Sequence, residues 1–215
     1  AHPHCGFEAI TYLLSGEIEH QDSWGGKAVI EQGDIQWMTT GSGLVHSELV
    51  TKKFKKNGGT MQGLQIWINL PKKDKNVKPW YQHIKQNNIP ILKENDNVNI
   101  KVLVGSLKNF KSLIQTYSPV SILDIEFLNS GTINIEIPKN QTAMIYVISG
   151  KLDLLNNNKA INNQMIYFDQ SAERISITST SSNGSYLLLA GEPLKEKVIR
   201  YGPFVTKTDG EIKQA

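Results

Sequence analysis

Only one cysteine, Cys5, stands among 215 residues, so no disulfide can close within the chain, and that usage fits a reducing compartment. Long apolar runs are also missing. No stretch approaches the ~20 residues that a membrane-spanning helix needs, and none has the order of a secretory signal. Charge of one sign is in short supply: 23 Lys and Arg against 20 Asp and Glu leave a net charge of +3, which gives no global drive toward nucleic acid. Lysines do cluster locally, at Lys52, Lys53, Lys55 and Lys56 and again at Lys72, Lys73, Lys75 and Lys78. Both clusters sit beside Gly, Asn, Pro or Asp, without an aromatic or arginine-rich pattern, and read as two solvated loops. These absences point to a soluble cytoplasmic protein, read as a monomer, with no membrane contact and no direct nucleic-acid partner.

Helical periodicity is scarce as well, confined to Trp80 to Gln86 and the last residues from Asp209. The chain consists mainly of short apolar stretches rich in Ile, Val, Tyr, Phe and Trp. Examples are Phe7 to Leu14, Ile35 to Met38, Gly63 to Leu70, Ile122 to Phe127, Ala143 to Ile148 and Tyr186 to Ala190. Turn signals separate them, among them Gly25-Gly26, Gly58-Gly59 and Asn156-Asn157-Asn158. The expectation is an all-β chain of sandwich or barrel type.

An internal echo divides it. Thr11-Tyr12-Leu13-Leu14-Ser15-Gly16-Glu17-Ile18 resembles Ile145-Tyr146-Val147-Ile148-Ser149-Gly150-Lys151-Leu152. A polar hairpin follows in each copy, then a short apolar strand, Asp34 to Met38 or Gln164 to Phe168. Two similar β-domains follow from this, 1–88 and 89–215, with the boundary between Asn87 and Pro90.

Histidine is rare, with five in all and none after His83, yet three of the five fall in two short motifs. His2-Pro3-His4 and His46-Ser47-Glu48 each have i, i+2 spacing, which puts both members on one face of a strand. Taken singly, the pairs read as polar residues at a frayed terminus and as an exposed ion pair. Taken together, three imidazoles and a carboxylate suit one divalent metal: Fe(II), with Mn, Ni, Cu and Zn as alternatives. Four protein ligands on an octahedral ion leave two positions for substrate, unlike a closed, Cys-rich structural zinc site. Gly33, Gly41 and Gly43 supply turns ahead of the second pair. Glu8 competes with Glu48 as the carboxylate, because it is in phase with His2 and His4 on an unbroken strand. Cys5 is out of phase and reads as a small buried hydrophobe. His20 and His83 read as surface or capping residues, and Trp24, Trp37 and Trp67 as core or rim aromatics. Counting back from Gly150, the positions matching His2 and His4 are Glu136 and Pro138, so the second copy carries no matching ligands.

His2-Pro3-His4-Cys5-Gly6-Phe7-Glu8, with Tyr12-Leu13-Leu14 close behind, resembles the first metal motif of the pirin family of the cupin superfamily. The resemblance continues through Gly33 to Thr39, Gly41 to Glu48, Gln65 to Pro71, Lys73-Asp74-Lys75 and Tyr81-Gln82. It resumes at Gly191 to Leu194 and at Tyr201 to Val205. It implies a bicupin, two double-stranded β-helix (jelly-roll) barrels packed together with few short helices. It implies iron in the first barrel alone, on residues matching His2, His4, His46 and Glu48. It implies two kinds of activity: quercetin 2,3-dioxygenase chemistry on a flavonol and dioxygen, with Glu48 as the catalytic base, or an iron-dependent regulator that binds a protein partner. Cys5 stands where the family usually has Arg. The family's pattern also runs on before His2 and beyond Ala215, so strands are expected ahead of the first ligand pair and a further segment after the last residue.

Overall fold

The computed structural model describes residues 1–154, 158–168 and 173–213; Asn156, Asn157, Gln214 and Ala215 lie outside the described residues. The chain divides into two units. The first holds β1 (His2–His4), β2 (Phe7–Ser15), β3 (Glu17–Asp22), β4 (Lys27–Glu31), β5 (Ile35–Thr39), β6 (Leu44–Val50), the helix α1 (Lys52–Asn57), β7 (Gln62–Asn69) and β8 (Trp80–Ile84). These strands make two antiparallel sheets, ordered β1-β6-β3-β4 and β7-β2-β5-β8. Central strand β2 is buried on both faces from Phe7 to Leu13, which its near-continuous apolar sequence requires. Phe7, Ala9, Met38 and Leu44 form one part of the core, and Leu13, Ile18 and Ile30 another.

The second unit runs from Ile89 to Pro193. Its strands are β9 (Ile91–Asn95), β10 (Val98–Val104), β11 (Ser106–Leu107), β12 (Phe110–Lys111), β13 (Val120–Phe127), β14 (Gly131–Glu136), β15 (Thr142–Ser149), β16 (Lys151–Asp153), β17 (Lys159–Ile161), β18 (Met165–Tyr167), β19 (Arg174–Ser179) and β20 (Gly184–Gly191). They form sheets ordered β18-β15-β20-β13-β10-β9 and β14-β19-β16-β17, with β11 and β12 as a separate hairpin. Strand β15 alternates buried and half-buried residues, as expected where one face covers a core. That core includes Ile100, Ile125, Phe127, Ile145, Val147, Tyr186 and Leu188.

The repeat seen in the sequence is a repeat of pairing. Strand β2 passes through Gly16 (φ 95°) into β3, and β15 passes through Gly150 (φ 94°) into β16. Strand β5 pairs with β2 as β18 pairs with β15, and β6 pairs with β3 as β19 pairs with β16. Where the first unit sets His2 opposite His46, the corresponding strand pair of the second sets Glu136 opposite Arg174.

Three expectations are corrected. Trp80 to Gln86 is not helical: Trp80–Ile84 is edge strand β8, paired with β5 from Ile35 opposite Ile84 to Thr39 opposite Trp80. Its aromatic and β-branched residues suit a half-covered sheet edge, and Pro79 stands just before it. The first lysine cluster is not a loop but α1, whose N-cap Thr51 accepts a hydrogen bond from Phe54 N at 3.1 Å. Finally, Leu194–Ala215 belongs with the first unit, so the second ends at Pro193 rather than at 215. This last segment forms the hairpin of β21 (Ile199–Tyr201) and β22 (Phe204–Thr206) and the short helix α2 (Asp209–Ile212). Val205 of β22 enters the core beside Phe7 and Leu44.

Candidate metal centre

Strand register assembles the site. On one face of the β1-β6-β3-β4 sheet, His2 lies opposite His46 and His46 opposite Asp22, making one row across three strands. Glu48 lies opposite His20 in an adjoining row, and His4 lies opposite Leu44. The i, i+2 spacing keeps His2 and His4 on a common face, and likewise His46 and Glu48 and the pair His20 and Asp22.

The rings of His2, His4 and His46 converge. Their centroids are 4.6 Å apart for His2 and His4, 4.4 Å for His2 and His46, and 5.0 Å for His4 and His46. One nitrogen from each lies within 4.8 Å of the others. His2 is exposed, whereas His4 and His46 are 3 % and 1 % exposed. Nε2 of His2 and Nε2 of His46 face each other at 2.9 Å. Both ring nitrogens of His4, and Nδ1 of His46, are buried without a hydrogen-bond partner of normal geometry.

Burial, with the charge of His2 adding to it, lowers the His4 pKa to about 4, and the nearby Pro203 carbonyl offsets only part of this. Burial and then the charges of His2, His4 and His20 lower His46 to about 3. Both rings are therefore neutral at neutral pH, the form that ligates a cation. Buried, uncharged imidazoles whose nitrogens converge at this spacing fit a borderline divalent ion.

Glu48 is held by neighbours that sequence reasoning missed. Its Oε1 accepts from Thr11 Oγ1 at 3.3 Å and from Gln36 Nε2, and its Oε2 accepts from Gln65 Nε2 at 3.1 Å. Tyr81 hydroxyl donates to Gln36 Oε1 at 3.1 Å. Burial, then the charges of Glu48, Asp22 and Asp34, push the Tyr81 pKa up, so it remains a donor. The carboxylate of Glu48 groups with His46 and His20, all within 4.8 Å of one another, and His46 is the member common to both groups.

His20 is therefore no surface residue. It is fully buried, its Nε2 lies 3.0 Å from Asp22 Oδ2, and its ring stacks on Tyr81 at 4.3 Å and 11°. The signal was present: His20-Gln21-Asp22 has the same i, i+2 histidine–carboxylate spacing as His46-Ser47-Glu48. His83 stands outside both groups and pairs with Asp34 at 2.9 Å. Trp37 is core, Trp24 is half-exposed, and Trp67 stacks on Phe7 at 4.3 Å with its ring 5.3 Å from that of His4.

Glu8 does not join the centre. Gly6, at φ 77°, ends the strand phase after His4, and the chain crosses from the sheet of β1 to that of β2. Glu8 is buried there and accepts from Trp37 Nε1 at 3.0 Å and Thr39 Oγ1 at 2.7 Å. Cys5 is half-buried, and its carbonyl accepts from Val205 N at 3.0 Å. Burial pushes its thiol pKa up, against the weaker opposing pulls of the Val205 backbone on the thiol itself and of the Lys75 charge. Lys75 is not a solvated loop residue. It is 3 % exposed, and its ammonium donates to Gly6 O at 2.9 Å and Asn69 Oδ1 at 2.6 Å.

Residues 1–68 match the family described as Pirin, and residues 122–215 match the Pirin C-terminal cupin domain. The chain is 37 % identical to Pirin-1 of Arabidopsis thaliana over all of its own length and 74 % of that protein. The chain belongs to the pirin family. Human Pirin is 35 % identical across all of this chain and 73 % of its own length. The crystal structure of a quercetin 2,3-dioxygenase from Acinetobacter baumannii matches with a TM-score of 0.94 and 31 % identity, over 99 % of this chain and 74 % of that one. Membership fits the all-β bicupin observed here. Among the described residues, no helix is long and apolar enough to cross a membrane.

Proposed function

We propose that this pirin-family chain is a metal-dependent dioxygenase acting on a flavonol-like enol, with one Fe(II) held by His2, His4, His46 and Glu48. The observation that carries the reading is the convergence of three imidazoles, with one nitrogen from each within 4.8 Å of the others. The structural likeness to a quercetin 2,3-dioxygenase supports the substrate class. When bound, the metal supplies Lewis acidity, lowering the pKa of a substrate hydroxyl beside a carbonyl.

The chain's own residues do the rest. Glu48 takes the hydroxyl proton at Oε2, the oxygen that accepts from Gln65, while Thr11 and Gln36 hold Oε1. Those three donors fix the carboxylate plane before substrate arrives, which limits the reorganisation needed for proton transfer. Trp67, partly exposed beside His4, backed by the buried ring of Phe7 and with the Arg200 guanidinium 5.2 Å from its ring centroid, supplies an aromatic edge for a flat substrate.

Aerobic assay of the iron-loaded protein with quercetin, followed by its visible absorbance, tests this. Turnover is expected, and His46→Ala abolishes it. No turnover at full iron occupancy sinks the dioxygenase reading.

A further inference from the structure

We propose that His20, His46 and Glu48 form a second, alternative position for a divalent first-row cation, occupied when His2 and His4 do not hold it. The idea rests on the metal reading of His46 and Glu48 and adds His20, to which that reading gives no part. The three side chains leave one face of the β3–β6 ladder, with His20 directly opposite Glu48 and Asp22 directly opposite His46. Their ligand atoms lie within 4.8 Å of one another. Two imidazoles and a carboxylate are a donor set that borderline divalent ions accept, with positions left open.

His20 is also set up as a ligand. Asp22 is fixed by Trp24 N at 2.7 Å and Gly26 N at 3.0 Å, both donating to Oδ1. Its Oδ2 accepts a hydrogen bond from His20 Nε2–H at 3.0 Å. That bond selects the tautomer whose lone pair is on Nδ1, and this nitrogen is buried with no partner. A carboxylate that orients an imidazole from behind is the usual support of a metal-bound histidine. The stack on Tyr81 locks the ring plane. A fully buried imidazole with one nitrogen left bare is a cost that a cation removes.

The two positions differ in how firmly the fold holds them. His2 and His4 lie on a strand of three residues that, among the described residues, pairs with β6 alone. The alternative set lies on β3 and β6, paired from Ile18 opposite Val50 to Asp22 opposite His46. Because both need His46, they serve one ion in turn.

Co(II) titration followed by d–d absorbance distinguishes the cases, with each variant checked for folding by thermal melting in chelator. The His2→Ala/His4→Ala chain is expected to take up one equivalent of Co(II), bound more weakly than by the unaltered chain. Adding His20→Phe, which keeps the ring stack but deletes the donor, abolishes uptake. If that triple variant does not fold, adding Asp22→Asn instead frees the tautomer and weakens uptake by about tenfold or more. A folded double variant that takes up no Co(II), or uptake indifferent to both added substitutions, overturns the second position alone. No uptake by the unaltered chain overturns it together with the metal reading above.

Discussion

At the scale of single residues, what a side chain faces decided its role, and the sequence was informative only where spacing reported facing. The convergence of His2, His4 and His46 was legible because i, i+2 pairs share a strand face. His20 carried the same spacing to Asp22, which went unused, while its place opposite Glu48 is a cross-strand register that spacing alone does not give. Lys75 was hidden differently, inside a run of lysines whose other members are solvated. Its buried ammonium ties Gly6 O, just past the first ligand pair, to Asn69. Lys75→Met leaves both acceptors unpaired and is expected to cost about 1–3 kcal/mol in urea unfolding. In the second unit, burial works against the charge of Lys101, but hydrogen bonds and charges from Glu126 (2.5 Å) and Asp124 (3.5 Å) outweigh it and raise its pKa above 10.5. A lysine raised in the fold contributes stability that is complete below its unfolded pKa and lost as pH rises through the folded one. The deficit of Lys101→Met against the unaltered chain should therefore be constant near neutrality and shrink above pH 10.5, read by unfolding at stepped pH.

At the scale of elements, β-strands were visible wherever apolar residues alternated or ran together, and both copies of the repeat could be aligned on Gly16 and Gly150. Trp80–Ile84 misled because a five-residue strand is too short for its period to exclude a helix turn. Glu8 misled because strand phase was carried through Gly6, where the backbone turns into the left-handed region. That turn is also a close approach: a Cβ on Gly6 would lie 1.6 Å from Val205 O. Gly6→Ala must therefore push β22 away or shift β1, and it should destabilise the first unit by about 2 kcal/mol or more. Because β1 carries His2 and His4, metal affinity should fall in the same variant. Metal titration beside thermal melting checks both, and unchanged affinity in a destabilised protein would show that β1 does not depend on this contact.

At the scale of the whole molecule, the duplication was legible but the path of the chain was not. Nothing in the composition of residues 194–215 says that they return to the first unit, since only Val205 among the described ones is a buried core hydrophobe. The candidate ligand groups found among the described residues lie wholly in the first unit. Adding metal should therefore slow amide hydrogen exchange in β1, β3 and β6 and leave β10, β13 and β20 unchanged, as mass spectrometry of peptic fragments would show. Slowing in both units would mean that the ion's effect spreads beyond the strands that hold it. The returning hairpin also sets an order of manufacture. A ribosome makes all of the second unit before it makes Val205, so the second barrel can close while the first still lacks part of its wall. During that interval the core around Phe7 and Leu44 lacks Val205, so on the metal reading an ion that arrives early would meet a first unit not yet fully packed.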